Sequence, residues 1–198
     1  SKAEGQIVVL DDVTPGAKAK RVAGLCRKDP RLVELVLAES ESVVRAVPHV
    51  LITRHRLGMV MANAGIDRSN IGAGDAERVL LLPRDPDASA AGLSAALGVP
   101  VVISDSFGRP WRMGVVAVAI GAAGLPALSD RRGEIDRDGR VLEVTQIALG
   151  DMIATAANLA TGEGAEGIPA ALLRGLTFSG EPRPATDLVR PHTADLFL

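Results

Sequence analysis

The sequence predicts a mixed α+β fold with partly antiparallel sheets and packed helices. Three observations carry that expectation. Runs of Val, Leu and Ile of strand length recur along the chain, Asp-Pro helix starts stand between some of them, and hairpin-length turns separate others. Strands and helices do not alternate regularly, which disfavours a doubly wound sheet. The 198 residues suffice for one large domain or two small interleaved ones. No linker divides them cleanly, so one domain over 1–198 is expected.

Gln6–Leu10 reads as the first strand, and Pro15-Gly16 as a turn. Asp29-Pro30 then supplies an N-cap and a first-turn proline. Leu32, Val33, Val36, Leu37, Ser40, Val43, Val44 and Val47 follow at helical spacing, which predicts one amphipathic helix ending at Pro48. His49–Thr53 reads as a strand with Leu57–Met61 as its hairpin partner. Asn63–Gly74 is too rich in glycine and turn formers for regular structure. Arg78–Pro83 reads as a strand buried on both faces.

Asp85-Pro86-Asp87 repeats the helix start, and Gly98 stops that helix after Leu97. Val99–Ser104 is an apolar strand, with Asp105-Ser106-Phe107-Gly108 expected as the turn that ends it. Val115–Ile120 is a further strand. Asp138-Gly139 signals a hairpin turn into Val141–Val144. Asp151–Thr161 is an Ala-rich helix stopped by Gly162, and Ala170–Leu173 reads as a last strand. The tail, with Pro182, Pro184 and Pro191, is expected to be a surface loop.

Composition narrows the function. Hydrophobic residues make up 47% of the chain but aromatics only 2%, so the core is expected to be aliphatic, with 21 glycines allowing close backbone approach. A formal net charge of −2 leaves no general basic footprint for nucleic acid, and the lack of aromatics disfavours a base-stacking surface. Cys26 is the single cysteine, expected buried and reduced. The longest apolar stretch, Val115–Leu128, is broken by Gly121, Gly124 and Pro126 and is too short to span a bilayer. A cytoplasmic protein without membrane or nucleic-acid partners is the resulting expectation.

Four segments could carry chemistry. Asn63-Ala64-Gly65-Ile66-Asp67-Arg68-Ser69-Asn70 joins small residues to Asp67, a hard oxygen donor for Mg²⁺ or Mn²⁺, and to the amide of Asn70. The same pattern also describes an Asx-turn. Ile103–Arg112 places Asp105 and Ser106 at the end of an apolar strand, with Arg109 and Arg112 beside the only Trp as candidate bidentate phosphate ligands. The alternative there is a turn cap at Asp105 and a core Trp111. Asp151 starts a helix and reads first as a cap on its dipole. Thr161-Gly162-Glu163-Gly164-Ala165-Glu166-Gly167 could offer a metal ligand in Glu163 or backbone N–H groups at Gly162 and Gly164 to phosphate; it could equally be a solvated loop. His49, His55 and His192 make no metal spacing, and no P-loop or G-x-G-x-x-G follows a strand.

Taken together, an ordered set of segments resembles the coenzyme F420:L-glutamate (gamma-glutamyl) ligase family. The set comprises Ser1–Gly5, Lys28–Leu35, Ala62–Asn70, Leu82–Ala90, Ser104–Arg112, Ala119–Leu125 and Arg174-Gly175, and the likeness runs along the whole chain. The resemblance implies a fold peculiar to that family in an intertwined homodimer. It implies a GTP-dependent ligase that adds L-glutamate to the F420 precursor, coenzyme F420-0, through an acyl-phosphate. Asp67, Asp105, Ser106 and Glu163 would hold two Mg²⁺ or Mn²⁺ ions, with K⁺ as a further ion. Lys2, Asn70, Gly162 and Gly164 would contact GTP, and Asp67, Asp105, Arg109 and Arg112 form the expected catalytic set. The family carries a further N-terminal strand and phosphate-contacting loop ahead of the Ser1-Lys2 segment, so the chain is expected to lack these. It also commonly has Asp-Glu where this chain has Asp151-Met152. Two rivals follow: a member that binds nucleotide or an F420-like molecule without ligating, and another metal-dependent phosphoryl or acyl transferase.

Overall fold

A computed structural model describes residues 6–69, 71 and 77–195. The chain divides into two compact units, the first ending at Arg84 and the second beginning at Asp85. Both are mixed α+β, with small antiparallel sheets and several helices. Among the described residues no helix is long and apolar enough to cross a membrane.

In the first unit the chain runs β1 (Ile7–Val9), α1 (Ala17–Cys26), α2 (Pro30–Ala38), β2 (Ser40–Val47), β3 (Val50–His55), β4 (Val60–Ala62) and β5 (Arg78–Leu80). Strands β2, β3 and β4 form one antiparallel sheet, and β1 pairs with β5. The cap at the start of α2 forms as the sequence indicates: Asp29 Oδ1 accepts the Arg31 N–H at 2.8 Å, with Pro30 in the first turn. The core is aliphatic, built on Leu10, Val22, Leu32, Val33, Val36, Leu51 and Val79, and the Cys26 thiol lies buried within it.

Several elements differ from expectation here. The long helix ends at Ala38, and residues 40–47 are strand β2. Ser40 Oγ donates back to the Val36 carbonyl and closes the helix, while the β-branched Val43-Val44 pair favours the strand. Register shifts at Ser40/Ser42 and Val43/Arg45 disturb the period-two pattern, so apolar residues fall by chance at helical spacing. Helix α1 is not among the expected elements: Gly16 gives it no side-chain cap, and Arg27 rather than a glycine ends it. Strand β5 is shorter than expected and not buried on both faces: Arg78 is exposed, and Pro83 offers no N–H to continue the ladder.

The second unit runs α3 (Pro86–Leu97), β6 (Val101–Arg109), β7 (Arg112–Ala123), β8 (Ser129–Asp130), β9 (Gln146–Ile147) and α4 (Leu149–Thr161). Asp85 caps α3 through the Ala88 N–H at 2.9 Å, and Gly98 ends it at φ +69°. Strands β6 and β7 form a long hairpin against which both helices pack. The backbone of α3 approaches β7 so closely that a Cβ on Gly121 would stand 2.1 Å from the Pro86 carbonyl oxygen. Asp87 fixes that approach by accepting the Ala122 N–H at 2.8 Å. It also holds the tail, through the Ala185 N–H at 2.8 Å and the Thr186 hydroxyl.

The predicted turn at Asp105–Gly108 is strand: β6 continues to Arg109, and the reversal falls at Pro110-Trp111, with Trp111 at φ +56°. The tail is not a free loop, since Ala185 is buried under Asp87. Ala170–Leu173 forms no strand; Leu172 is exposed, and Pro169 withholds a ladder N–H just ahead of it. The Asp138-Gly139 turn is present, with Gly139 at φ +84° and the Asp136 N–H donating to the Arg140 carbonyl at 2.8 Å.

Candidate functional site

The Asp67 segment begins as a tight turn. Asn63, Ala64 and Gly65 all take positive φ, at 51°, 51° and 67°. At Gly65 a Cβ would also stand 2.9 Å from Leu82 Cδ1 and 3.0 Å from Met61 Sδ, so glycine is required by space as well as by conformation. The chain then straightens and Asp67 bridges Leu80, donating its N–H at 3.0 Å and accepting at 2.9 Å. This fixes the backbone from which the carboxylate projects. Asp67 Oδ1 accepts the Ser69 N–H at 2.8 Å and the Ser69 hydroxyl at 2.7 Å, the contacts of an Asx-turn. Among the described residues Oδ2 takes no hydrogen bond. Asn70 and Lys2 lie outside the described residues.

In the second unit, Asp105 and Ser106 lie within β6, in register with Val118 and Ala117 on β7. The pairing slips between Ile103 and Ser104, just before them. Asp105 is half-buried and does not cap a turn. Ser106 Oγ lies 2.7 Å from both carboxylate oxygens of Glu163 and donates to them. The fold thus joins two singled-out residues that stand 57 positions apart. Glu163 reaches this position because Gly162 ends α4 at φ +68° and turns the chain back.

Around Glu163 the two N–H groups expected to meet phosphate already have acceptors. The Gly162 N–H donates to the Asn158 carbonyl at 2.9 Å, and the Gly164 N–H donates to Glu166 Oε2 at 2.7 Å. Arg109 turns back along its own hairpin tip, with Nη2 donating to the Met113 carbonyl at 3.0 Å and a buried Nε that has no partner among the described residues. Arg112 is exposed at the same tip, and Trp111 is 84% exposed, so it is not core.

Asp151 is not the cap of α4. Ala148 holds the cap position without a side-chain bond, and Asp151 Oδ1 accepts the Ala119 N–H of β7 at 2.9 Å. One turn on, Thr155 Oγ1 donates to the Ala117 carbonyl at 2.7 Å. These two bonds dock α4 on the hairpin. Burial pushes the Asp151 carboxyl above its usual range, partly countered by the Ala119 N–H. Met152, beside it, faces solvent.

The donors gathered at Ser106 and Glu163 are hard oxygens of the kind Mg²⁺ and Mn²⁺ take. Among the described residues no three His, Cys, Asp or Glu side chains converge on one point. Such a donor set fits the usual Mg²⁺ arrangement, in which one or two carboxylates share the ion with substrate phosphates and water. Asn63 of the expected segment and Lys28 of the family set line a cavity beside Asp67 together with Arg27 and His49, for which the sequence suggests no role. Their placement depends on backbone angles that no residue pattern displays.

Comparison with known proteins gives consistent results. The family described as F420-0:Gamma-glutamyl ligase matches residues 1–175. The coenzyme F420:L-glutamate ligase of Methanopyrus kandleri is 48% identical over 208 aligned positions, covering 100% of this chain and 81% of its own length. The protein of that name from Natronomonas pharaonis is 48% identical over 184, covering 90% and 71%. The one from Methanocaldococcus jannaschii is 39% identical over 203, covering 100% and 80%.

Proposed function

The chain belongs to the F420-0:gamma-glutamyl ligase family, and from that membership we propose that it joins L-glutamate to the F420 precursor using GTP. A carboxylate oxygen of the precursor attacks the γ-phosphorus, and the bond to GDP breaks. The amine of L-glutamate then attacks the activated acyl carbon and loses a proton, and the acyl C–O bond breaks to release phosphate. The product is an amide.

The observation that carries this reading within the fold is the Ser106–Glu163 contact, because it builds an oxygen-donor pair at the loop expected to face nucleotide. In this proposal Asp67, Asp105, Ser106 and Glu163 hold Mg²⁺ or Mn²⁺, which neutralises phosphate charge when bound. The exposed guanidinium of Arg112, with Arg109 behind it, takes phosphate oxygens. Lys2 and Asn70 contact GTP. The Gly164 N–H reaches phosphate only if Glu166 swings away. A second copy of the chain completes a homodimer, and the exposed apolar side chains of Trp111, Met113 and Val115, grouped at the β6–β7 hairpin tip, favour such a cover.

The retained rival is a member that binds nucleotide without ligating. Met152 in place of the common acid and the engaged loop N–H groups favour it. Mass spectrometry separates the two. The full-length protein with precursor, L-glutamate, GTP and Mn²⁺ is expected to yield a product heavier by one glutamyl residue, with GDP and phosphate formed in equal amounts. GTP binding without that product would favour the rival, and neither binding nor product would sink both.

A further inference from the structure

The first unit holds a cavity of about 420 Å³ beside Asp67, within the size range of small-molecule sites. Its wall includes Arg27, Lys28, His49, Asn63 and Arg68. Their charges are not equally committed. Arg68 donates to Glu77 at 2.7 Å. Asp29, the other wall carboxylate besides Asp67, is gripped by Arg31 at 2.7 Å and held below its usual pKa by that guanidinium. Arg27 and Lys28 have no ion-pair partner among the described residues. The Asn63 amide oxygen is buried and accepts no hydrogen bond among the described residues.

A second observation selects the same place. Among the described residues five non-glycine residues take positive φ, and three of them, Arg27 at 51°, His49 at 68° and Asn63 at 51°, line this cavity. Arg27 ends α1 in the left-handed conformation where glycine is the usual residue. His49 occupies the turn between β2 and β3, and its N–H donates to the Cys26 carbonyl at 2.8 Å, which fixes the two turns together. At three positions where glycine is easiest, the chain carries side chains with cationic, imidazole or amide groups, and all three face one cavity.

We propose that this cavity is an oxyanion subsite, in which Arg27 and Lys28 receive a carboxylate or phosphate group of an acidic substrate next to Asp67. Two cations without ion-pair partners among the described residues supply the charge, and the His49 N–H bond to the Cys26 carbonyl ties the turn that carries them to the β2–β3 turn. The proposal rests on the ligase reading only for which acids are at hand, namely L-glutamate and the phosphates of GTP.

Equilibrium calorimetry tests it without requiring turnover. The full-length protein is titrated with L-glutamate, with inorganic phosphate, and with GTP plus Mn²⁺, as wild type, Arg27→Gly and Lys28→Gln. Arg27→Gly relieves the left-handed strain, so its thermal midpoint should hold or rise while affinity for the bound acid falls at least tenfold. Lys28→Gln should lose affinity in the same arm. A loss confined to L-glutamate assigns the subsite to a carboxylate; a loss in the phosphate and GTP arms assigns it to phosphate. If Arg27→Gly lowers the midpoint, Lys28→Gln decides. Affinities within threefold of wild type in every arm, or no measurable wild-type binding, overturn the proposal. Retained binding effects in a protein that forms no glutamyl product would overturn the ligase reading instead and leave the subsite standing.

Discussion

Asp67 and Glu163 are presented in opposite ways. Asp67 sits on a locally closed segment: its carboxylate is engaged two residues on, and its backbone is clamped to Leu80. Glu163 depends on a contact with Ser106, 57 positions away, and on a glycine that ends a helix. The first is specified by neighbouring residues and the second by the packing of α4 on the β6–β7 hairpin. Damage to the fold should therefore reach them by different routes.

The largest expected effect concerns chemistry alone. Asp67→Asn and Glu163→Gln should each lower turnover at least about 100-fold, the scale of losing a charge-stabilising group, while the thermal midpoint stays nearly unchanged. A large stability loss at Asp67 would instead make it a turn residue only. Gly65→Ala should do the reverse in the first unit. Clashes at 2.9 Å with Leu82 and a positive φ should cost about 2–4 kcal/mol of stability by denaturant unfolding.

A pH prediction also belongs to the first unit. Burial, reinforced by the nearby Arg56 charge, lowers the His55 pKa from 6.5 to about 4. Its Nδ1 accepts the Leu57 N–H at 3.0 Å, while Nε2 stands 3.5 Å from Glu39, an ion-pair distance without a hydrogen bond. The unfolded chain takes the proton first, so this contribution is complete above pH 6.5 and is lost as pH falls from 6.5 towards 4. Its size is on the order of 3 kcal/mol. Unfolding of wild type and His55→Asn across that range should show the slope in wild type and a flatter one in the variant.

The smallest effect is in the second unit. Asp151→Ala orphans the Ala119 N–H and should cost about 1–3 kcal/mol. Asp151→Asn keeps an acceptor and removes a charge that burial disfavours. The raised folded-state pKa means that the ionised carboxylate costs stability as pH rises, so the amide should equal or exceed wild type at neutral pH. Thermal melts of the two variants at pH 7 check this ordering.

What could be read from the sequence follows the same local and distant division. The caps at Asp29 and Asp85, the stops at Gly98 and Gly162, and the Asp138-Gly139 turn are written within a few residues, and each is present in the fold. Strand β2 was hidden because its bulges imitate helical spacing. The extension of β6 through Asp105 was hidden because Asp, Ser and Gly are turn formers by composition, yet β7 supplies a partner to each of them. Asp151 read as a cap because an acid in a first helical turn usually serves one, and only the position of β7 reveals its use as a tether. Family resemblance singled out both Ser106 and Glu163; it took packing to place them in contact. The cavity at Arg27 and Lys28 is not legible in the sequence because α1, which ends at Arg27 in a left-handed conformation, has no glycine stop to announce it.

The most direct test of the central claim is a GTP titration of the full-length protein with and without Mn²⁺, repeated with Asp67→Asn and Glu163→Gln. The account predicts binding that requires the metal and weakens at least tenfold in both variants, one from each unit. Binding that ignores the metal, or that survives both substitutions unchanged, would contradict it.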